Sequence, residues 1–256
     1  MSSLTTRFDA ICERILRAAE RSGRPAGDVR LVAISKLHGA DMVAELARYW
    51  AGAGTRTGGP TFGENYVQEA MTKKAEVAAL LPGGDVEWHF TGHIQSRKSR
   101  DVVGEFGLLH TVDSLKLAGA LQKAWDNRMA ERPIGLRDPA PGPQAVLVQV
   151  NIGREPQKSG VDPDSLEELL NGLATMGRLQ AQGLMCIPPN VENPAESRPY
   201  FVLLRELRDR ASKACGLALP HLSMGMSGDF EAAIEEGATL VRVGTDIFGA
   251  RAYNTP

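Results

Sequence analysis

A lysine closes a short apolar run near the start of the chain. The run occupies 31–35, Lys36 follows it directly, and a segment of helical character comes next. A lysine at the end of a buried strand places its amine where the charged ammonium form is disfavoured. A neutral amine is a nucleophile toward aldehydes, and the stable product is a Schiff base. The alternative is a lysine whose stem is buried and whose head reaches water, as in most lysines.

Small and hydroxyl-bearing residues follow the last two predicted strands. Gly225, Ser227 and Gly228 follow the seventh strand, and Gly244 and Thr245 follow the eighth. Glycine lets the backbone approach an anion, and the free amides at the start of a helix favour one. The loops after strands seven and eight of (β/α)8 barrels often bind phosphate. The two segments together therefore predict a phosphate pocket, although each alone also fits an N-cap serine with ordinary glycine turns.

An arginine lies in the eighth predicted strand, which is otherwise apolar. A buried strand seldom carries an arginine without a partner. A cofactor with an aldehyde, a phosphate tail and a ring nitrogen would use Lys36, the two loops and one residue at the ring nitrogen. Arg242 in that position would stay charged and would keep a pyridine nitrogen unprotonated. The structural alternative is an ion pair from Arg242 to Asp246 or Glu64.

The elements that must position these residues alternate between strand and helix. Helical spacing predicts an N-terminal helix over 4–21, and helical patterns separate the later strands. Eight strands with helices between them predict a single (β/α)8 barrel, with active residues at the carboxyl ends of the strands. The alternative is an open doubly wound sheet, but 35–39 is not a glycine-rich dinucleotide turn. The predicted strands are 31–35, 61–63, 86–91, 108–112, 145–150, 183–187, 220–224 and 240–243, and the later helices include 64–81, 114–129, 166–176, 198–215 and 228–236.

Composition and charge exclude several classes of protein. The chain has 256 residues, of which 43% are hydrophobic and 23% charged, and its net charge is −2. This near-neutral balance gives no reason to expect nucleic acid or an anionic membrane as a partner. We expect one domain over 1–256, with a proline-rich insertion at 131–144.

The termini and cysteines favour a cytoplasmic protein. No apolar stretch is long enough to span a bilayer, and residues 1–4 lack the features of a secretion signal. The three cysteines are far apart and form no paired motif, which predicts reduced thiols with no disulfide framework and no zinc site. His89 and His93 are four residues apart, but a strand end does not give the helical face that pairs two histidines on zinc. We therefore expect no metal, and we interpret His110 as an ordinary polar residue and Glu64 as a charge at a helix N-terminus.

Nearly the whole chain resembles the pyridoxal phosphate homeostasis protein family. The resemblance includes the apolar run that ends at Lys36, the segment Gly63-Glu64-Asn65-Tyr66, and Arg242-Val243-Gly244-Thr245 near the end of the chain. It implies a barrel like the N-terminal domain of alanine racemase, the fold type III architecture, with pyridoxal 5'-phosphate (PLP) bound as an internal aldimine. The matching segments are 31–36, 62–69, 88–95, 150–151 with 158–160, 183–185, 222–227 and 241–249.

The same resemblance implies roles for seven residues. Lys36 would carry the cofactor, and Arg242 would face the pyridine nitrogen. Ser227, Gly244 and Thr245 would hold the phosphate. Two further residues, Asn65 and Ser223, would line the pocket.

Three functions are compatible with these residues. The family implies a non-catalytic carrier, a monomer or weak dimer that holds PLP for homeostasis and delivers it to PLP-dependent apo-enzymes. A PLP-dependent amino-acid racemase is the alternative, but racemisation needs proton transfer on both faces of the cofactor. Lys36 serves one face, and the sequence offers no residue for the other. The third is a barrel enzyme in which Lys36 forms a Schiff base to a phosphorylated sugar or nucleotide.

Overall fold

Parallel strands close into a barrel, and the side chains that point inward contact inward side chains of other strands. The structure is a computed structural model and describes residues 3–54, 57–131, 142–191 and 193–250. Within these ranges eight strands pair in chain order, and β1 pairs with β8 to close the ring. The strands are β1 Arg30–Ile34, β2 Thr61–Glu64, β3 Glu87–Phe90, β4 Leu108–Val112, β5 Gln144–Gln149, β6 Leu179–Met185, β7 His221–Ser223 and β8 Leu240–Val243. The predicted (β/α)8 barrel is confirmed, and the open doubly wound alternative is wrong.

Helices surround the barrel and connect its strands. The connection between β3 and β4 carries a 3-10 turn, Ser96–Lys98, followed by the single-turn helix α4. The helices are α1 Ser3–Arg21, α2 Ala40–Gly52, α3 Val67–Leu80, α4 Ser99–Val102, α5 Leu115–Ala130, α6 Leu166–Ala174, α7 Arg198–Cys215, α8 Phe230–Glu235 and α9 Thr245–Phe248. This order places every strand's carboxyl end beside a loop that leads into a helix, so loop residues share one face of the barrel.

The strands are buried on both faces, and this is why they read as continuous apolar runs. In β1, Leu31 and Ala33 pack in the layer between barrel and helices, whereas Val32 and Ile34 face the barrel interior. Side chains alternate along a strand, so residues two apart share a face. Arg242 pairs in register with Val32 and therefore also points into the barrel.

The N-terminal helix α1 packs beside the last helices of the chain. Its buried side chains, which include Phe8 and Ile15, recur at helical spacing. On the neighbouring face, Arg14 donates to Glu231 in α8 at 3.0 Å and to Asp246 in α9 at 3.3 Å. The predicted helix over 4–21 thus exists as α1. Of the predicted insertion at 131–144, residues 132–141 lie outside the described part of the chain.

Two predicted boundaries differ from the structure for physical reasons. The strand predicted over 183–187 begins at Leu179, because its polar first half lies at the amino-terminal rim and pairs there with β5. The helix predicted from 64 begins at Val67, because Glu64 is the buried last residue of β2. The interpretation of Glu64 as a helix N-terminal charge is wrong.

Three further features of the described residues bear on chemistry. No helix among them is long and apolar enough to cross a membrane. Cys12, Cys186 and Cys215 are free thiols. Burial raises the pKa of Cys186 to about 12 and that of Cys12 to about 11, so neither is a reactive thiolate near neutral pH.

Candidate functional site

A cavity of about 280 Å³ opens at the carboxyl ends of the strands. It lies where the barrel fold places its ligand sites. Six of the seven residues predicted from the sequence line it together. They are Lys36, Asn65, Ser227, Arg242, Gly244 and Thr245. Their roles in binding a cofactor stay predictions.

The seventh predicted residue, Ser223, lies one layer deeper and is fully buried. Its hydroxyl accepts a hydrogen bond from Arg242 Nη1 at 2.6 Å, so it supports the pocket from below. Gly228, which the sequence placed with the predicted phosphate pocket, also lines the cavity. Sequence reasoning missed five lining residues. The inward parity of strand ends could have found Ile34 and Met185, whereas loop geometry alone brings in the others: Thr91, Ile187 and Met226.

Arg242 is a buried cation that faces the cavity. Its Nη1 donates to Ser223, and its Nη2 donates to the carbonyl oxygen of Cys186 at 2.9 Å. The ion pairs within the described ranges include none to Arg242. The alternative partners are engaged elsewhere, since Asp246 pairs with Arg14 and Glu64 with Lys73. Burial therefore lowers the Arg242 pKa, although a guanidinium still stays charged at neutral pH.

A buried guanidinium without a carboxylate partner is energetically costly. Two of its five N–H groups are engaged by the protein groups just named. A ligand with a lone pair or a negative charge next to Arg242 would offset that cost. The cavity wall at this point therefore favours an acceptor atom on the ligand.

The backbone that carries Lys36 is held in a fixed conformation from α3. Leu37 adopts a φ of 64°, which is uncommon for a residue with a side chain. Its amide donates to Glu69 Oε1 at 2.5 Å. The ammonium group of Lys73 donates to the same oxygen and to the carbonyl oxygen of Ser35, each at 2.7 Å. Residues on both sides of Lys36 are thus tied to one helix.

Lys73 also holds the end of β2. It is 4% exposed, and its Nζ donates to Glu64 Oε1 at 2.7 Å. Ser35 Oγ donates to the same carboxylate oxygen. Burial raises the Glu64 pKa, and the Lys73 charge and hydrogen bond oppose that shift. The buried pair ties β1, β2 and α3 together in the layer between the barrel and the helices, since Glu64 shares the face of β2 that carries Phe62.

Glycines let the loops after β7 and β8 pack closely. Gly225 has a φ of 88°, and a Cβ there would lie 2.6 Å from the Ala233 Cβ. A Cβ on Gly244 would lie 3.1 Å from the carbonyl oxygen of Ile34 in β1. No heavy atom lies within 4 Å of the position that a Cβ on Gly228 would occupy, so the backbone there is accessible. The helix α8 begins after Asp229, so the expectation that Ser227 starts that helix is wrong; Ser227 lies in the preceding turn.

The histidines of β3 and β4 meet inside the barrel, not at the mouth. His89 Nδ1 and His110 Nε2 lie 3.0 Å apart, and both rings are buried. His93 is half-exposed and contacts Ser159 Oγ. No group of three or more metal-ligating side chains is found in the described ranges. The interpretation of His110 as an ordinary polar residue is wrong, because it is a fully buried member of a polar cluster.

Comparison with known sequences shows to which family the chain belongs. Residues 7–252 match the family model for the N-terminal domain of alanine racemase. The pyridoxal phosphate homeostasis protein of Aquifex aeolicus is 41% identical over 248 residues, covering 96% of this chain and 98% of the relative. That of Pseudomonas aeruginosa is 41% identical over 256 residues, covering 100% and 99%. The chain belongs to the pyridoxal phosphate homeostasis protein family.

Solved structures agree with this assignment. The structure of PipY from Synechococcus elongatus with PLP bound has a TM-score of 0.73 and 35% identity, and the match covers 93% of this chain and 100% of that chain. Alanine racemase from Corynebacterium glutamicum has a TM-score of 0.63 at 18% identity, and this likeness concerns the fold alone. The match covers 97% of this chain and 63% of the racemase.

Proposed function

We propose that this chain binds PLP covalently through Lys36 and serves in PLP homeostasis as a carrier without robust catalytic turnover. The observation that carries the proposal is a cavity that joins an amine, a buried guanidinium with no carboxylate partner among the described residues, and a glycine-rich rim with hydroxyls. Relatives at 41% identity bear the name of that function, and PipY has been solved with PLP bound.

Each residue of the cavity suits one part of PLP. The cofactor supplies an aldehyde that condenses with a primary amine, and its ring withdraws electrons from what is attached. Lys36 provides the amine. Arg242 can donate to the pyridine nitrogen and, as a permanent cation, keeps that nitrogen unprotonated. Ser227 and Thr245 can donate hydroxyls to the phosphate, and Gly244 permits close backbone approach.

The polar lining of the cavity argues for storage in preference to turnover. Lys36 and Arg242 are the ionisable side chains among the described lining residues. An arginine does not act as a base near neutral pH. Racemisation needs a second proton-transfer group on the opposite face of the cofactor, and the described lining supplies none. The chain's residues therefore bind and orient the ligand and hold one proton acceptor, Lys36.

A spectral titration with PLP tests the covalent site. We expect an absorbance band near the visible edge for the wild-type protein, and we expect Lys36→Ala to abolish it while the fold is retained. Lys158→Ala is the matched control, since Lys158 lines a neighbouring cavity and donates to the carbonyl oxygen of Pro188. A band that persists in Lys36→Ala, or that is lost in Lys158→Ala alone, would refute the assignment.

An assay with alanine enantiomers tests the absence of turnover. We expect exchange of the substrate α-proton no faster than with free PLP at the same concentration. Steady-state racemisation well above that level would favour the racemase. A phosphorylated sugar or nucleotide that is trapped on Lys36 by borohydride in preference to PLP would favour the third candidate.

The delivery role and the cellular setting belong to the same proposal. We expect the loaded protein to restore activity to a PLP-dependent apo-enzyme faster than its own release of PLP into buffer. The free thiols suit a reducing compartment, which we take to be the cytoplasm. Sedimentation of the loaded protein should show a monomer or a weak dimer.

A further inference from the structure

A row of hydrogen bonds crosses the barrel interior from its amino-terminal rim to the cavity. Glu87 Oε1 lies 2.9 Å from His89 Nε2, and His89 Nδ1 lies 3.0 Å from His110 Nε2. His110 Nδ1 lies 2.9 Å from Ser223 Oγ, which accepts from Arg242 Nη1 at 2.6 Å. We call Glu87, His89, His110 and Ser223 the interior relay.

The interior relay lies among apolar side chains. His89 is 1% exposed, and His110 and Ser223 are fully buried. Burying polar groups costs free energy unless they are hydrogen-bonded, and here both nitrogens of each ring have a partner. The surrounding interior side chains are Val32, Leu108, Leu147, Met185 and Leu240. A row of polar groups in such a place is therefore ordered by its own bonds.

The two ends of the row fix the direction of every bond. Arg242 can only donate. The hydrogen bond from His89 lowers the Glu87 pKa, so that carboxylate accepts. Burial, followed by the charges of neighbouring groups, lowers the His110 pKa well below its ordinary value. With one proton on each ring, Arg242 donates to Ser223, Ser223 to His110, His110 to His89 and His89 to Glu87.

We propose that His110 and His89 are positioning residues that orient the Ser223 hydroxyl and, through it, aim Arg242 at the bound ligand. This proposal rests on the proposed function, in which Arg242 meets the PLP ring nitrogen. An acceptor on His110 Nδ1 keeps the serine proton away from the guanidinium. Ser223 then presents a lone pair to Arg242, and the guanidinium plane is fixed between Ser223 and the carbonyl oxygen of Cys186.

One added proton on His110 would reverse a single bond of the row, the one to Ser223. His110 Nδ1 would then donate to Ser223, which would accept twice and turn its own hydrogen elsewhere. Burial opposes this first, and so do the titratable and charged groups that face His110, namely His89 from β3, Arg242 from β8 and His221 from β7. At the rim, Arg30 from β1 donates to Glu87 Oε2 at 2.7 Å, the oxygen that His89 does not contact. The hydrogen bonds of the relay therefore keep their donor–acceptor directions until the solution is acidic enough to protonate His110.

Substitutions of His110 test the proposal. His110→Phe keeps ring volume but removes the acceptor, and we expect about tenfold weaker PLP binding and a shifted absorbance band, the effect of one lost hydrogen bond. His110→Asn can restore an acceptor oxygen near Nδ1 and should recover most of the binding. Arg30→Gln is the control, because it removes an exposed ion pair and leaves Glu87 as acceptor; its band should match the wild type.

A double-mutant cycle separates positioning from packing. Ser223→Ala should weaken PLP binding as His110→Phe does. The double variant should bind PLP no more weakly than whichever single variant has the lower affinity. Ser223→Ala also keeps the test open if His110→Phe does not fold. Additive losses, or His110 variants with a normal band and affinity despite altered thermal stability, would overturn the proposal. Covalent attachment at Lys36 should persist throughout, and its absence in the wild type would instead sink the proposed function.

Discussion

At the scale of single residues, Arg242 shows how the fold can hold a ligand-binding group in place before the ligand binds. Its guanidinium is buried against Ser223 and the Cys186 carbonyl without a carboxylate among its described partners. Neutral acceptors stabilise a buried cation only in part, so the folded protein carries an unfavourable charge at the cavity wall. A ligand acceptor would complete the site.

Replacement of Arg242 therefore separates stability from binding. We expect Arg242→Met to leave the ligand-free protein as stable as the wild type, or up to about 2 kcal/mol more stable, because a buried charge is removed. The same variant should lose affinity for PLP by at least about tenfold. Urea unfolding without ligand and a PLP titration measure the two effects. A loss of more than about 2 kcal/mol in the ligand-free protein would mean that the arginine is mainly structural.

At the scale of elements, helix α3 controls the end of strand β1. Lys73 reaches from α3 to the Ser35 carbonyl oxygen and to Glu64, and Glu69 accepts the amide of Leu37. These contacts oblige the chain to turn directly after Lys36. The amine is thus placed by a helix that comes more than thirty residues later in the chain.

Removal of Lys73 should loosen that arrangement. Lys73→Met leaves the Glu64 carboxylate buried without its cation, and breaking such a pair costs about 3–5 kcal/mol. Thermal or urea unfolding measures this loss. A control on the same helix is Lys74→Met, whose partly buried Nζ contacts Glu105 at 3.2 Å; no fully buried carboxylate is left behind there, so the loss should be smaller. Equal losses in the two variants would contradict the account of α3.

At the scale of the whole molecule, closure of the barrel decides which residues meet. Arg242 comes beside β1 because β8 pairs with β1, and His89 meets His110 because β3 and β4 are neighbours. Strand alternation then directs these side chains inward. The same closure buries the imidazole of His110 fully, and a buried neutral imidazole makes stability depend on pH.

The pH dependence has a definite sign. Burial lowers the His110 pKa, so below about pH 6.5 the unfolded chain takes up a proton that the folded chain refuses. Stability is fully present above that pH and falls as the solution becomes more acidic. Between pH 6.5 and 5 this ring alone can cost up to about 1.6 kcal/mol, the limit in which the folded ring takes up no proton. Glu64 acts in the opposite direction, since its pKa is raised.

Comparison with a variant isolates the histidine. Urea unfolding at pH 7.5, 6.5 and 5 should show that His110→Phe loses less stability on acidification than the wild type, by up to about 1.6 kcal/mol between pH 6.5 and 5. The contribution of Glu64 cancels in this difference. Parallel curves for the two proteins would show that His110 is protonated in the folded state.

Most of the fold and part of the site could be predicted from local sequence patterns. The eight strands were predictable because parallel strands in a barrel are apolar runs, and Lys36 and Arg242 stood out as charges at or within such runs. The polar start of β6 was missed because rim residues are exposed. Glu64 and His110 were misread because their partners, Lys73 and His89, depend on tertiary contacts. No local pattern encodes which strand faces which across a barrel.

The central claim concerns one covalent bond, and peptide mass mapping after reduction addresses it directly. The protein is saturated with PLP, treated with borohydride and digested. The account predicts that the added mass of the reduced cofactor lies on the peptide that contains Lys36, at close to one per chain. The same mass on a peptide that contains another lysine, with Lys36 unmodified, would contradict it.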